Sequence, residues 1–293
     1  MRLKDFEGII SALLTPDEQH LDKIPELVEF QLKHGIKGFF ILGTFGEGPK
    51  LGPEARMRVA ERIVETVGEK GIVIVHVGAP DLDTAKKLAR HAGEIGAHAV
   101  SAVAPFYYRY DEESLKRFYA ELAKSTSAPV MVYNNPGRQG YRMGFETIMR
   151  IMEEAPGVEG LKDTSGDVAQ LHALATVPQD RYFIAIGSDA LIYMTFSLGL
   201  KAHVCGIASM WPELAVGIYK AVKEGRREDA LELQLKMNRV RSILKSIGPD
   251  TASYKYALRM RGIDIGGPIP PTRGLTPEEE ERLREELSQV IKA

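Results

Sequence analysis

One lysine ends a short apolar run and gives way at once to polar residues: Val158-Glu159-Gly160-Leu161-Lys162-Asp163-Thr164-Ser165-Gly166. On a strand, alternate residues share a face, so Val158, Gly160 and Lys162 are expected to point the same way, with Asp163, Thr164 and Ser165 placed to cap a following helix. A lysine just past a strand is ordinarily a solvated one. At the inward carboxyl end of a strand, however, its amine can attack a ketone and form a Schiff base, provided burial or a nearby cation lowers its pKa. The protonated imine is an electron sink, so a carbon-carbon bond beside it can be made or broken. Such a cycle needs a proton carrier, and a carboxylate substrate needs backbone amides or an arginine.

Those accessory groups recur where other apolar runs end. They are Gly43-Thr44-Phe45-Gly46-Glu47, Pro105-Phe106-Tyr107-Tyr108, Tyr133-Asn134-Asn135-Pro136-Gly137-Arg138, Gly187-Ser188-Asp189 and Gly206-Ile207. Each has a plainer reading. Thr44 and Gly46 can serve a turn, Tyr133 can be a rim tyrosine with a satisfied hydroxyl, the aromatics around Tyr107 can mark a subunit contact, and Arg138 can belong to a surface ion pair. Their force comes from falling together at one end of one fold.

The elements that would place them alternate regularly. Apolar runs at 8–14, 38–42, 72–77, 99–103, 130–133, 158–162, 182–186 and 202–205 are each followed by a helical pattern, at 22–34, 53–67, 83–95, 112–124, 145–154, 168–175, 190–198 and after Pro212. Eight strand-helix units fit an α/β fold of the (β/α)8 TIM-barrel type better than an open sheet. No G-x-G-x-x-G follows the first strand, and the loop at 43–48 has neither the spacing nor the lysine of a P-loop. Beyond Val222 the pattern is wholly helical, at 228–244, 251–261 and 277–291, so residues 1–222 are read as the barrel and 223–293 as a C-terminal helical layer. The acidic run at 278–281 suits the first turn of a helix.

Composition bounds the partners. With 38 basic and 40 acidic side chains and a net charge of -2, the 293-residue chain carries no electrostatic footprint for nucleic acid or an anionic membrane. Cys205 is the only cysteine, which excludes an internal disulfide and the cysteine-based zinc motifs. No run approaches the roughly 20 apolar residues of a membrane span, and no apolar signal core opens the chain, so a cytoplasmic location is expected.

Over its whole length the chain resembles the dihydrodipicolinate synthase and N-acetylneuraminate lyase family of class I aldolases, which includes the archaeal 2-keto-3-deoxygluconate aldolases. The segments that carry the resemblance are Gly43-Thr44-Phe45-Gly46-Glu47, Pro105-Phe106-Tyr107, Tyr133-Asn134-Asn135-Pro136, Gly160-Leu161-Lys162-Asp163 and Gly206-Ile207, in that order and spacing. The resemblance implies a barrel with a C-terminal helical extension, a homotetramer of tight dimers, no cofactor and no metal, and small-molecule substrates, pyruvate and an aldehyde. It further implies a pyruvate Schiff base on Lys162, proton relay by Tyr133 with Thr44 bonded to it, and Tyr107 entering from a neighbouring subunit. Substrate binding is then expected at Thr44, Phe45, Arg138 and Ile207, with the amides of Thr44 and Phe45 on the pyruvate carboxylate.

Two features bear on the substrate. Phe45 stands where the family usually has a second hydroxyl residue, which leaves only backbone amides for the carboxylate. Arg138 matches the position that grips aspartate semialdehyde in dihydrodipicolinate synthases, whereas Pro105-Phe106-Tyr107-Tyr108 and Gly187-Ser188-Asp189 look more like the sugar-acid aldolases. Synthase-like condensation is the leading expectation, and 2-keto-3-deoxy sugar-acid cleavage the alternative. Two rivals lie outside these. A metal-dependent aldolase would need ligands converging on His76 or His203, although a lone strand histidine is usually a satisfied core residue, and a non-catalytic ligand-binding relative is the other.

Overall fold

Residue parity along the apolar runs decides which side chains fill the barrel and which face its helices. In the computed structural model, which describes residues 2–292, Ile10, Phe40, Ile74, Val103, Met131, Tyr133 and Val204 point inward as one cluster. Their neighbours Ile9, Phe39, Ile41, Val73, Val130, Val132 and Leu161 face outward and pack with the helices as another. Fully burying a Phe, Leu or Ile side chain contributes about 1.5 to 3 kcal/mol. The eight parallel strands are β1 (Gly8–Ala12), β2 (Gly38–Ile41), β3 (Ile72–His76), β4 (Ala99–Val103), β5 (Val130–Asn134), β6 (Val158–Asp163), β7 (Phe183–Ile186) and β8 (Ala202–Cys205). They close in chain order, with β8 pairing back to β1. Leu3 and Phe6 stop the amino end of the barrel, Phe6 meeting Phe183 edge-on at 6.5 Å.

The strand connections carry α1 (Ile24–Lys33), α2 (Pro53–Val67), α3 (Leu82–Glu94), α4 (Glu112–Lys124), α5 (Pro136–Gln139), α6 (Phe145–Glu154), α7 (Val168–Leu174) and α8 (Ile192–Ser197). After β8 come α9 (Pro212–Lys223), α10 (Arg227–Ser246), α11 (Asp250–Met260) and α12 (Pro277–Lys292). Local chemistry sets several starts: Asp81 and Asp111 cap α3 and α4 by accepting from Thr84 and Ser114 amides, and proline opens α2 and α9. Met237, Val240, Leu244, Tyr254, Leu258, Leu283 and Leu287 of the last three helices join the same outer cluster as the barrel helices.

Two local expectations fail for physical reasons. The pairing of β5 with β6 slips between Val130 and Met131, so Val158 packs outward while Gly160 lies against Met131 and Phe183 inside. A bulge inserts one residue and breaks parity; Gly160 and Lys162 keep the inward face. The cap of α7 is Asp167, which accepts from the Gln170 amide, not Asp163, Thr164 or Ser165. Asp163 instead accepts from the Ser165 amide and from the side chains of Asn134 and Gln170, which ties β5, β6 and α7 together.

Candidate active site

The carboxyl ends of the strands open into a cavity of about 930 Å³, and Lys162 lies at its floor with only 4% of its surface exposed. Tyr133 is its register partner on β5. The Lys162 Nζ sits 3.7 Å from the centre of the Phe40 ring and 4.1 Å from that of Tyr133, faces that attract a cation. Behind them His76 and Phe40 meet the Tyr133 ring edge-on, at 5.8 and 5.6 Å, so the three rings fix one another. Gly187 makes room for the amine: a Cβ there would fall 2.3 Å from Thr164 Oγ1 and 3.0 Å from Lys162 Cε.

Electrostatics follow from this packing. Burial holds the Lys162 amine below the usual lysine range, against the opposing pull of Tyr133 and Asp189. Burial by itself would push the Tyr133 hydroxyl up, yet the Lys162 charge and the neighbours Thr44, Asn135 and Thr164 bring it below the usual tyrosine range. Among those neighbours Asn135 makes a well-formed bond, its Nδ2 donating to Tyr133 Oη at 2.9 Å, whereas Thr164 Oγ1 is buried without a formed partner. An amine and a phenol brought toward each other in pKa exchange protons readily.

The loop from Gly43 to Gly48 carries Thr44 and Phe45 over this floor. Among the described residues the amides of Thr44 and Phe45 donate to no protein acceptor, so both are available to a bound carboxylate. The Phe45 ring stacks on Tyr254 of α11 at 4.7 Å and lies over Gly206, where a Cβ would come within 2.1 Å of it. It is a wall of the cavity, built by the C-terminal helices. Two residues on, Glu47 adopts φ 52° and buries its carboxylate, which accepts from Thr251 Oγ1 at 3.0 Å and the Ile269 amide at 3.1 Å. Lys255 Nζ lies 3.2 Å from its other oxygen, Oε2, and Lys50 Nζ donates to Oε1 at 2.8 Å.

The remaining expected residues sit differently. Arg138, on α5, lines the cavity half exposed, with Asp250 of α11 at 3.9 Å. Ile207 is fully buried in the outer cluster, and its carbonyl already accepts from Met210 and Trp211, so Gly206 beside it is the residue that borders the cavity. Tyr107 is 87% exposed at φ 83°, pairs edge-on with Tyr108 and borders a separate groove with Arg138 and Tyr141. Within one chain it does not reach Lys162. His76 is held between the Leu42 carbonyl and the Val103 amide, and His203 bonds Thr195. Among the described residues no three His, Cys, Asp or Glu side chains gather as a metal site. The sequence reading assigned no role to Asn135, Glu47, Tyr254 or Lys255. Asn135 was within reach of it, as a polar residue two places beyond Tyr133, but the others meet the loop only through tertiary contacts.

A (β/α)8 barrel with a buried lysine and tyrosine side by side at its carboxyl face defines the class I aldolase and lyase kind of enzyme, and the relatives agree. The chain belongs to the dihydrodipicolinate synthetase family, whose model matches residues 5–290. It is 34% identical over 282 residues to an uncharacterized DapA-like lyase of Halobacterium salinarum, covering 96% of this chain and 92% of that one. It is 32% identical over 270 residues to a protein of Escherichia coli named probable 2-dehydro-3-deoxy-D-pentonate aldolase, covering 90% of each. The crystal structure of dihydrodipicolinate synthase DapA-2 from Bacillus anthracis superposes with a TM-score of 0.91 at 28% identity, over 98% of this chain and 99% of that one.

Proposed function

We propose that the enzyme makes and breaks a bond between pyruvate and an aldehyde through an imine on Lys162. The observation that carries this reading is the burial of the Lys162 amine at the cavity floor, beside Tyr133. Neutral Lys162 adds to the pyruvate ketone. Tyr133 gives a proton to the carbinolamine oxygen, which leaves as water, and the phenolate then takes a proton from the methyl group to give the enamine. The enamine carbon adds to the aldehyde, whose oxygen takes up a proton, and water releases the product and restores the amine. The free amides of Thr44 and Phe45 hold the pyruvate carboxylate, and Thr44 steadies Tyr133.

For the aldehyde, the cavity favours a polyhydroxy chain, as in 2-keto-3-deoxy sugar-acid aldolases. Each arginine that lines it is faced by a carboxylate: Arg138 by Asp250 at 3.9 Å, and Arg241 by Asp189 at 3.8 Å. A second substrate carboxylate meets those acids as well as the arginines, whereas Thr164, Ser165, Ser188 and Thr251 offer hydroxyls to hydroxyls. Condensation with aspartate semialdehyde is the second reading, supported by the presence of Arg138 in the cavity wall.

Pyruvate with borohydride should inactivate the enzyme and leave the reduced adduct on Lys162; an adduct on another lysine overturns the assignment. With pyruvate present, kcat/KM for glyceraldehyde should exceed that for aspartate semialdehyde. The reverse order returns the synthase reading.

A further inference from the structure

Asn135, buried just past the end of β5, is held by a chain of hydrogen bonds that begins at its own backbone. Its backbone amide donates to Gln139 Oε1 at 3.1 Å, and Gln139 Nε2 donates to Asn134 Oδ1 at 3.0 Å and to the Tyr141 carbonyl at 2.8 Å. Asn134 Nδ2 then donates to Asp163 Oδ2 at 2.7 Å, and Gln170 Nε2 donates to the same oxygen at 2.6 Å. The direction of this chain is forced, because a backbone N–H only donates and a carboxylate only accepts. It pins the short helix α5 to the ends of β5 and β6 and sets the backbone from which the Asn135 side chain reaches Tyr133 Oη at 2.9 Å.

The phenolic oxygen thus accepts from an amide donor, while the Lys162 amine lies over the same ring, 4.1 Å from its centre. With a lone pair taken by Asn135, the proton of Tyr133 is left to point elsewhere, toward the nitrogen that becomes the imine or toward the departing oxygen. When that proton has gone, the same amide stabilises the phenolate, and hydrogen bonds to charged groups are the stronger kind. Resting on the relay role proposed above for Tyr133, we propose that Asn135 is a positioning residue of the reaction, which orients the Tyr133 hydroxyl and holds its phenolate between proton transfers.

Three variants test this: Asn135→Ala, Asn135→Asp and Tyr133→Phe, each checked for folding by Tm. Asn135→Ala should lower kcat by about tenfold to a hundredfold, the span of a hydrogen bond to a charged group. Its KM for pyruvate and its borohydride trapping on Lys162 should be largely kept, and the limb of the rate profile governed by Tyr133 should move to higher pH. Asn135→Asp keeps the shape but turns an acceptor toward the phenol. It should be worse than Asn135→Ala at neutral pH and recover as the pH falls and its carboxyl protonates, a dependence that loss of packing does not produce. Wild-type kcat and an unmoved limb in Asn135→Ala, beside a crippled Tyr133→Phe, overturn the role of Asn135 and leave the relay standing. A fully active Tyr133→Phe overturns the relay, and this inference with it.

Discussion

Asp250 and Arg138 sit at the cavity mouth, each about half exposed, with 3.9 Å between their charges. An exposed pair of this kind contributes little to stability, but the carboxylate stands where an acidic aldehyde would pass. Asp250→Asn removes that charge and leaves the shape, so kcat/KM for aspartate semialdehyde should rise by about two- to fivefold, the effect of an exposed charge interaction of up to about 1 kcal/mol. The value for glyceraldehyde should hardly change. If both aldehydes respond equally, the two residues shape the site instead of sorting its substrates. At this scale the inward placing of Lys162 and Tyr133 was legible, because strand parity aims both into the barrel, while Thr44 could be placed only in the loop that follows β2. Asn135 has the right parity, two places beyond Tyr133, but an asparagine beside a proline reads as a turn residue, and the helix α5 that fixes its backbone is four residues long, too short for any periodicity.

Helix α11 braces the loop that carries Thr44 by two neighbouring contacts, Tyr254 on the Phe45 ring and Lys255 on the Glu47 carboxylate. Removing one member of a buried ion pair strands the other, at about 3 to 5 kcal/mol. Lys255→Met should therefore lower the unfolding free energy by that order, read as a fall in the denaturant midpoint, and Glu47→Gln combined with Lys255→Met should recover part of the loss. A single variant as stable as the wild type would show that Lys50 and the two other donors suffice. The alternation of strands and helices was legible because glycine, proline and capping aspartates punctuate it. The parity of Val158 was misread because a bulge leaves no mark in one sequence, and the bracing of the loop by α11 was invisible because it depends on contacts between distant parts of the chain.

Across the whole molecule, Tyr107 and Tyr108 stand out as large aromatics left to solvent, and no helix among the described residues is long and apolar enough to cross a membrane. A tetramer in which Tyr107 completes a neighbour's site gives those rings a place. Mixing Tyr107→Phe with Lys162→Ala protein, each nearly inactive alone, should then restore activity through hybrid dimers. No recovery despite proven subunit exchange would remove Tyr107 from any neighbour's site. The buried Glu47 has a consequence of another kind. Its partner Thr251 lies 204 positions downstream, with Lys255 and Ile269 later still. A chain emerging from the ribosome has most of its barrel made while this acid has Lys50 beside it but still lacks Thr251, Lys255 and the Ile269 amide. The loop over Lys162 lacks these braces until the last helices arrive, so a prematurely ended polypeptide would leave the Lys162 amine in an unfinished chamber.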